Sequence, residues 1–165
     1  MALSKIDAAN FLTGTIPSGN ITTASLAAAA TGKVLQVVTT TSTSSFFTTS
    51  SSFVNTSRSV AITPSSTSNK VFISVTGTID NDSATQQLVA TIYRDSTNIG
   101  ASSLGIAKSY SSGSRIIVPS AMSILDSPSS TSAITYAVYL RSHAGGTSGF
   151  GGGEKVTITA FEIAG

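Results

Sequence analysis

A chain of 165 residues can hold one β-rich domain with its own core, burying on the order of 70% of its unfolded surface, and is too short for two. One third of it carries a hydroxyl, 31 serines and 24 threonines, whereas Asp, Glu, Lys and Arg together make 10% and 40% is hydrophobic; disorder, which pairs low hydrophobicity with high charge, is excluded. Cysteine is absent, His143 is the single histidine, and the basic residues behind the +2 charge stand alone rather than in a stripe, which argues against thiol chemistry, a metal or other cofactor, and nucleic-acid binding.

Residues 1–32 read as an arm. Large apolar residues come singly and four to five apart (Ile6, Phe11, Leu12, Ile16, Ile21, Leu26), with Gly and Pro between them, which supports at most a turn or two of helix. Such a segment closes no core alone, so its apolar residues are expected to lie on another subunit or protein. Asp7 interrupts what a signal peptide would keep apolar, Lys33 splits the stretch from Ser25 to Val38, and no run approaches about 18 apolar residues, so neither a leader nor a membrane span is expected.

From Lys33 to residue 165 the period is two. Alternation with β-branched and aromatic enrichment predicts about eight strands near 34–40, 45–49, 58–63, 70–79, 87–94, 98–108, 115–125 and 133–141, with a closing strand near 155–163. The strongest local hairpin joins Leu88–Arg94 to Ile99–Ala101. Turns are expected at Pro64–Asn69, Asp80–Ser83, Asp95–Asn98, Ser111–Ser114 and Ser127–Ser130, and a flexible glycine loop from His143 to Gly153 displaying Phe150. Short strands, polar turns and no long helix predict an all-β fold, an antiparallel β-sandwich or jelly roll.

No enzymatic constellation emerges. Gly100-Ala101-Ser102-Ser103-Leu104-Gly105 has the wrong spacing for a nucleophile elbow, and nothing near His143 would orient its ring as a base. In the glycine loop Glu154 precedes Lys155 and a strand follows, unlike a phosphate-binding loop. Asp80 and Asp82 are the one close carboxylate pair, and they fall where turn chemistry already explains them. His143 and Phe150 are left as surface-loop contact residues, with Phe150 folding back over the core as the alternative for an aromatic among glycines.

Met1-Ala2-Leu3-Ser4-Lys5-Ile6-Asp7 with Leu12-Thr13-Gly14-Thr15-Ile16-Pro17-Ser18-Gly19-Asn20-Ile21, the stretch Tyr93-Arg94-Asp95-Ser96-Thr97-Asn98-Ile99-Gly100, and the closing Val156-Thr157-Ile158-Thr159-Ala160-Phe161-Glu162-Ile163 resemble small structural proteins of tailed bacteriophage virions. The resemblance implies a homotrimeric jelly-roll head carried by the arm, assembled in the host cytoplasm and resident in the virion. Its partners would be further copies of itself and a major capsid protein or other virion protein. Aromatic enrichment at interfaces nominates Phe46, Phe47, Tyr136 and Tyr139 for the trimer contact. Two roles follow: a capsid decoration, or cement, protein, and a short tail fibre or receptor-binding protein touching host surface glycans. A glycan-cleaving enzyme would rest on Asp80 and Asp82 alone.

Overall fold

The computed structural model describes residues 33–82, 86–143 and 145–165, and in them the secondary structure is strand and turn. The strands are β1 (Val34–Ser42), β2 (Phe47–Thr48), β3 (Val54–Ile62), β4 (Lys70–Asn81), β5 (Gln86–Arg94), β6 (Thr97–Asn98), β7 (Ala107–Ser111), β8 (Ile116–Asp126), β9 (Ile134–Ser142), β10 (Ser148–Phe150) and β11 (Val156–Ile163). All pairings are antiparallel. One sheet runs β1-β11-β4-β8, extended by β10 and β2 beyond the end of β11; the other runs β3-β9-β5, with β7 and the short β6 both on β5. Taking the eight strands of five or more residues in chain order, the sheets contain the first, eighth, third and sixth, and the second, seventh, fourth and fifth. That order is a jelly roll.

The core follows from the period of two. Val71, Ile73, Val75 and Ile79 of β4, Val156, Ile158 and Ala160 of β11, and Met122 of β8 point inward from one sheet; Val60, Ile62, Leu88, Ala90, Ile92, Tyr136, Val138 and Leu140 meet them from the other. Gly77 interrupts the apolar phase of β4 for a steric reason. A Cβ there would sit 3.0 Å from the Phe150 ring, so the missing side chain makes room for a fully buried phenyl group.

Four expectations need correction. The stretch from Ser148 to Phe150 is not loop: it forms β10, paired with β4 and β2, because Phe150 is drawn into the space over Gly77. Asp80 and Asn81 belong to β4 rather than to a turn; Asp80 is buried and held by Arg115, whose Nε and Nη2 donate to it at 2.9 and 2.5 Å. The expected strand over 98–108 divides into β6 and β7, since the chain turns at Ala101–Gly105. A hairpin does follow from Leu88, but it is tighter than expected: it turns at Asp95–Ser96, and the return strand β6 is Thr97–Asn98, pairing Tyr93 with Asn98 and Arg94 with Thr97, not Ile99–Ala101.

Glu162 occupies an inward phase of β11 and is 1% exposed. Its Oε1 accepts the Ser65 backbone N–H at 2.6 Å, the Ser65 hydroxyl at 2.7 Å and the Asn69 amide at 2.6 Å, so the predicted Pro64–Asn69 turn is tied to the last strand by a carboxylate. Burial pushes the Glu162 pKa up, but those donors outweigh it and hold the group below its ordinary value. A depressed folded pKa means stability that is present above the unfolded value, about 4.3, and is lost as pH falls through the folded one. Urea unfolding between about pH 3 and 7 is expected to show Glu162→Gln costing about 1–3 kcal/mol at neutral pH, with a shallower loss on acidification than the parent.

Candidate functional site

The sheet β1-β11-β4-β8 turns one face to the core and leaves the other uncovered among the described residues. Register aligns the outward side chains into rows across all four strands. Val37, Phe161, Phe72 and Leu125 form one row; Thr39, Thr159, Ser74 and Ser123 form the next; Thr41, Thr157, Thr76 and Ala121 form the third. None of these twelve residues is charged. The phenyl rings of Phe72 and Phe161 lie 6.0 Å apart, Val37 and Leu125 are 54% and 53% exposed, and the hydroxyls of Thr39 and Thr159 are 3.1 Å apart. A row of large apolar groups in water, running from edge strand to edge strand, is the kind of patch that marks an association surface.

The outer face of the second sheet carries a different cluster. Tyr93 on β5 stands opposite Ala137 on β9, whose small side chain lets Tyr139, two residues further along β9, reach it diagonally. The two phenol rings stack at 3.8 Å with 20° between planes, and Phe53 meets Tyr93 edge-on at 6.2 Å. Arg141 lies 5.5 Å over the Phe53 ring, a cation–π distance, donates from Nη2 to the Ser103 carbonyl, and buries an Nε with no acceptor. An open groove of about 410 Å³ runs along this cluster, walled by Ser51, Ser52, Ser102 and Ser103. Aromatic edges, serines and a partly paired guanidinium can bind a polyhydroxylated or anionic ligand by stacking and hydrogen bonding.

No protein-family model matches this sequence, and no curated protein matches it. Among solved structures, the crystal structure of the infectious bursal disease virus VP2 subviral particle is similar over 79% of this chain, at 17% identity and a TM-score of 0.39; the chain spans 37% of the length of that protein.

The residues expected from sequence are scattered through this architecture. Ile6, Phe11, Leu12, Ile16, Ile21 and Leu26 lie outside the described residues. Phe46 packs against the core and offers its carbonyl to the Phe150 N–H at 3.0 Å, while Phe47 is 42% exposed with its ring against Gly149. Tyr136 is a core residue, wholly buried with its hydroxyl donating to Asp126 at 2.7 Å, which leaves a neighbouring copy nothing to touch; burial, then that hydrogen bond, pushes its pKa far above the ordinary value. Phe150 is likewise inside rather than displayed. Tyr139 is half-buried in the aromatic cluster, and His143 is exposed just after β9, its backbone N–H donating to Gln87 at 2.8 Å.

Phe53, Tyr93 and Arg141, and the row Val37–Phe161–Phe72–Leu125, were not singled out by sequence. The row had a signal. Val37-Val38, Phe72-Ile73, Leu125 after Ile124, and Phe161 after Ala160 put apolar residues on both faces of one end of each strand. Among the described residues no group of three His, Asp or Glu side chains could hold a metal ion, and no helix is long and apolar enough to cross a membrane.

The Tyr93–Tyr139 stack is expected to contribute about 0.5–1.5 kcal/mol beyond the area it buries. A double-mutant cycle with Tyr93→Leu and Tyr139→Leu, read by urea unfolding, measures that coupling; strictly additive losses would show that the rings stack without stabilising each other.

Proposed function

We propose that this protein is a non-enzymatic structural protein of a virion, a capsid decoration or cement protein that anchors to a major capsid protein through residues 1–32 and associates through its head as a homotrimer. The observation that carries the reading is the apolar row Val37–Phe161–Phe72–Leu125, which with the two hydroxyl rows beside it carries no charge. A charge-poor domain lacking disulfides gains stability by burying such a surface against copies of itself, and a closed ring does so for every copy alike.

The magnitude says how. Four strands about 4.8 Å apart and three rows about 6.7 Å apart cover roughly 400 Å². A stable interface takes about 800 Å² from each partner, so the face alone supplies about half. A threefold ring also requires two different patches to meet. The edge formed by β7 and β8, where Tyr110 is 59% and Ile117 53% exposed, supplies a second apolar patch for the face of the next copy. The virion setting is supported by the sequence resemblance and by a surface of hydroxyls and glycine that needs neither redox chemistry nor a metal.

A second reading, a tail fibre or receptor-binding protein, is favoured by the groove at Phe53, Tyr93 and Arg141, whose walls suit a surface glycan. Adding the purified protein to host cells before infection separates the two: a receptor binder lowers infection, a cement protein leaves it unchanged.

Sedimentation equilibrium is expected to give a trimer at micromolar concentration, and Phe72→Glu combined with Leu125→Glu a folded monomer, because both side chains are exposed in the single chain. Electron microscopy of purified virions is expected to place density of this size on the capsid lattice. A parent chain that sediments as a monomer and is missing from particles would refute the proposal.

A further inference from the structure

Arg58 is buried, and among the described residues no acid meets it. In β3 the register with β9 slips between Asn55 and Ser59, and Ser57 adopts φ 61°, a left-handed conformation rare outside glycine, with its N–H held by Asn55 Oδ1 at 2.7 Å. Across the bulge Thr56 and Arg58 keep the inward phase of Val60 and Ile62, and Arg58 is 4% exposed. Its Nη1 donates to the Thr56 carbonyl at 3.0 Å and its Nη2 to the Ser44 carbonyl, while Nε has no acceptor. The ion pairs among the described residues join Arg94 to Asp126 and Arg115 to Asp80 and Asp82, and none reaches Arg58.

Two carbonyl dipoles orient this guanidinium without neutralising it. Burial lowers its pKa, yet a guanidinium stays protonated in proteins, so the charge persists. Burial of a cation without a counter-charge is strongly disfavoured, and an anion that joins it removes that cost. Beside it, between edge strand β1 and β3, lies a cavity of about 160 Å³ lined by Arg58 and by Thr40, Thr41, Ser42, Ser57 and Ser59, with Val156 and Ile158 behind them. A cavity of about 150 Å³ admits a benzene molecule, so this one has room for a tetrahedral oxyanion.

We propose that this cavity is an anion site that holds a small oxyanion of the phosphate or sulfate class on the Arg58 guanidinium. The guanidinium N–H groups that the two carbonyls leave free supply the charge-assisted bonds to the anion. Hydroxyl-bearing residues on both strands supply neutral donors for the other oxygens. A planar carboxylate would leave the far wall without acceptors. The bound anion bridges β1 and β3 and so ties the two sheets together at their open edge, which is independent of how the head assembles.

The full chain, freed of oxyanions, is titrated with inorganic phosphate at constant ionic strength set by chloride. The expected result is one saturable site per chain and a melting temperature raised by about 5–10 °C at a hundredfold excess over Kd. Arg58→Met is expected to weaken binding at least tenfold. If that variant does not fold, Thr41→Val with Ser59→Ala keeps the cation and removes two donors, and affinity is expected to fall threefold or more. Ion chromatography of denatured protein that finds about one phosphate or sulfate per chain would support the site directly. No saturable binding to the parent, equal stabilisation by chloride, or unchanged affinity in the variants overturns it.

Discussion

Everything in this domain hangs on β4 being hydrogen-bonded along both edges. On one side it pairs with β8 from Val71–Asp126 to Asn81–Ile116 without a break in register; on the other it pairs with β11 and then, past the end of that strand, with β10. A strand held on both sides cannot slip by one residue without exchanging its buried and exposed sets. Its inward phase must therefore be Val71, Ile73, Val75, Gly77 and Ile79, and its outward phase must carry Phe72, Ser74 and Thr76. The rows on the outer face result from that lock.

The same lock explains what could be read from the sequence. Alternation at Val71–Thr76, Ile134–Leu140 and Val156–Phe161 identified half-buried strands and hence a two-sheet β fold, because one strand's period is a local property. Position across strands is not local. Val37, Phe72, Leu125 and Phe161 become neighbours only through three separate registers, and Tyr93 meets Tyr139 only because Ala137 intervenes. For Tyr136 and Phe150 core packing competes with a surface role in the sequence, and local pattern cannot decide: an aromatic in an alternating strand can face either way, and a phenyl after glycines reads as loop until Gly77 is known to leave it space. Arg58 keeps the inward phase of Val60 and Ile62, whereas the bulge at the left-handed Ser57 beside it has no signal in composition.

Scarcity of charge shapes how the buried ionic groups are handled. Asp80 has Arg115 at its side, and Asp126 at the core margin is shared between Arg94, at 3.0 Å, and the Tyr136 hydroxyl. Glu162 meets no cation among the described residues and relies on three neutral donors from one loop, which suffices because hydrogen bonds to an ionised oxygen are about twice as strong as neutral ones. Each acid thus anchors a segment that has few apolar contacts of its own.

The acids Asp80, Asp126 and Glu162 sit near strand ends, and charge is kept off the three central rows of β1-β11-β4-β8. Serine and threonine take its place there. A hydroxyl tolerates water and a dry interface alike, since it loses little on leaving solvent if it finds one partner, whereas a lysine or glutamate in the same row would resist burial by several kcal/mol. Threonine also favours the strand itself, so the residue that keeps the face neutral is one that holds its pleat. A sheet face made this way remains soluble in the single chain and accepts a flat apolar neighbour without stranding a charge, which is what the exposed Phe72 and Leu125 require of their surroundings.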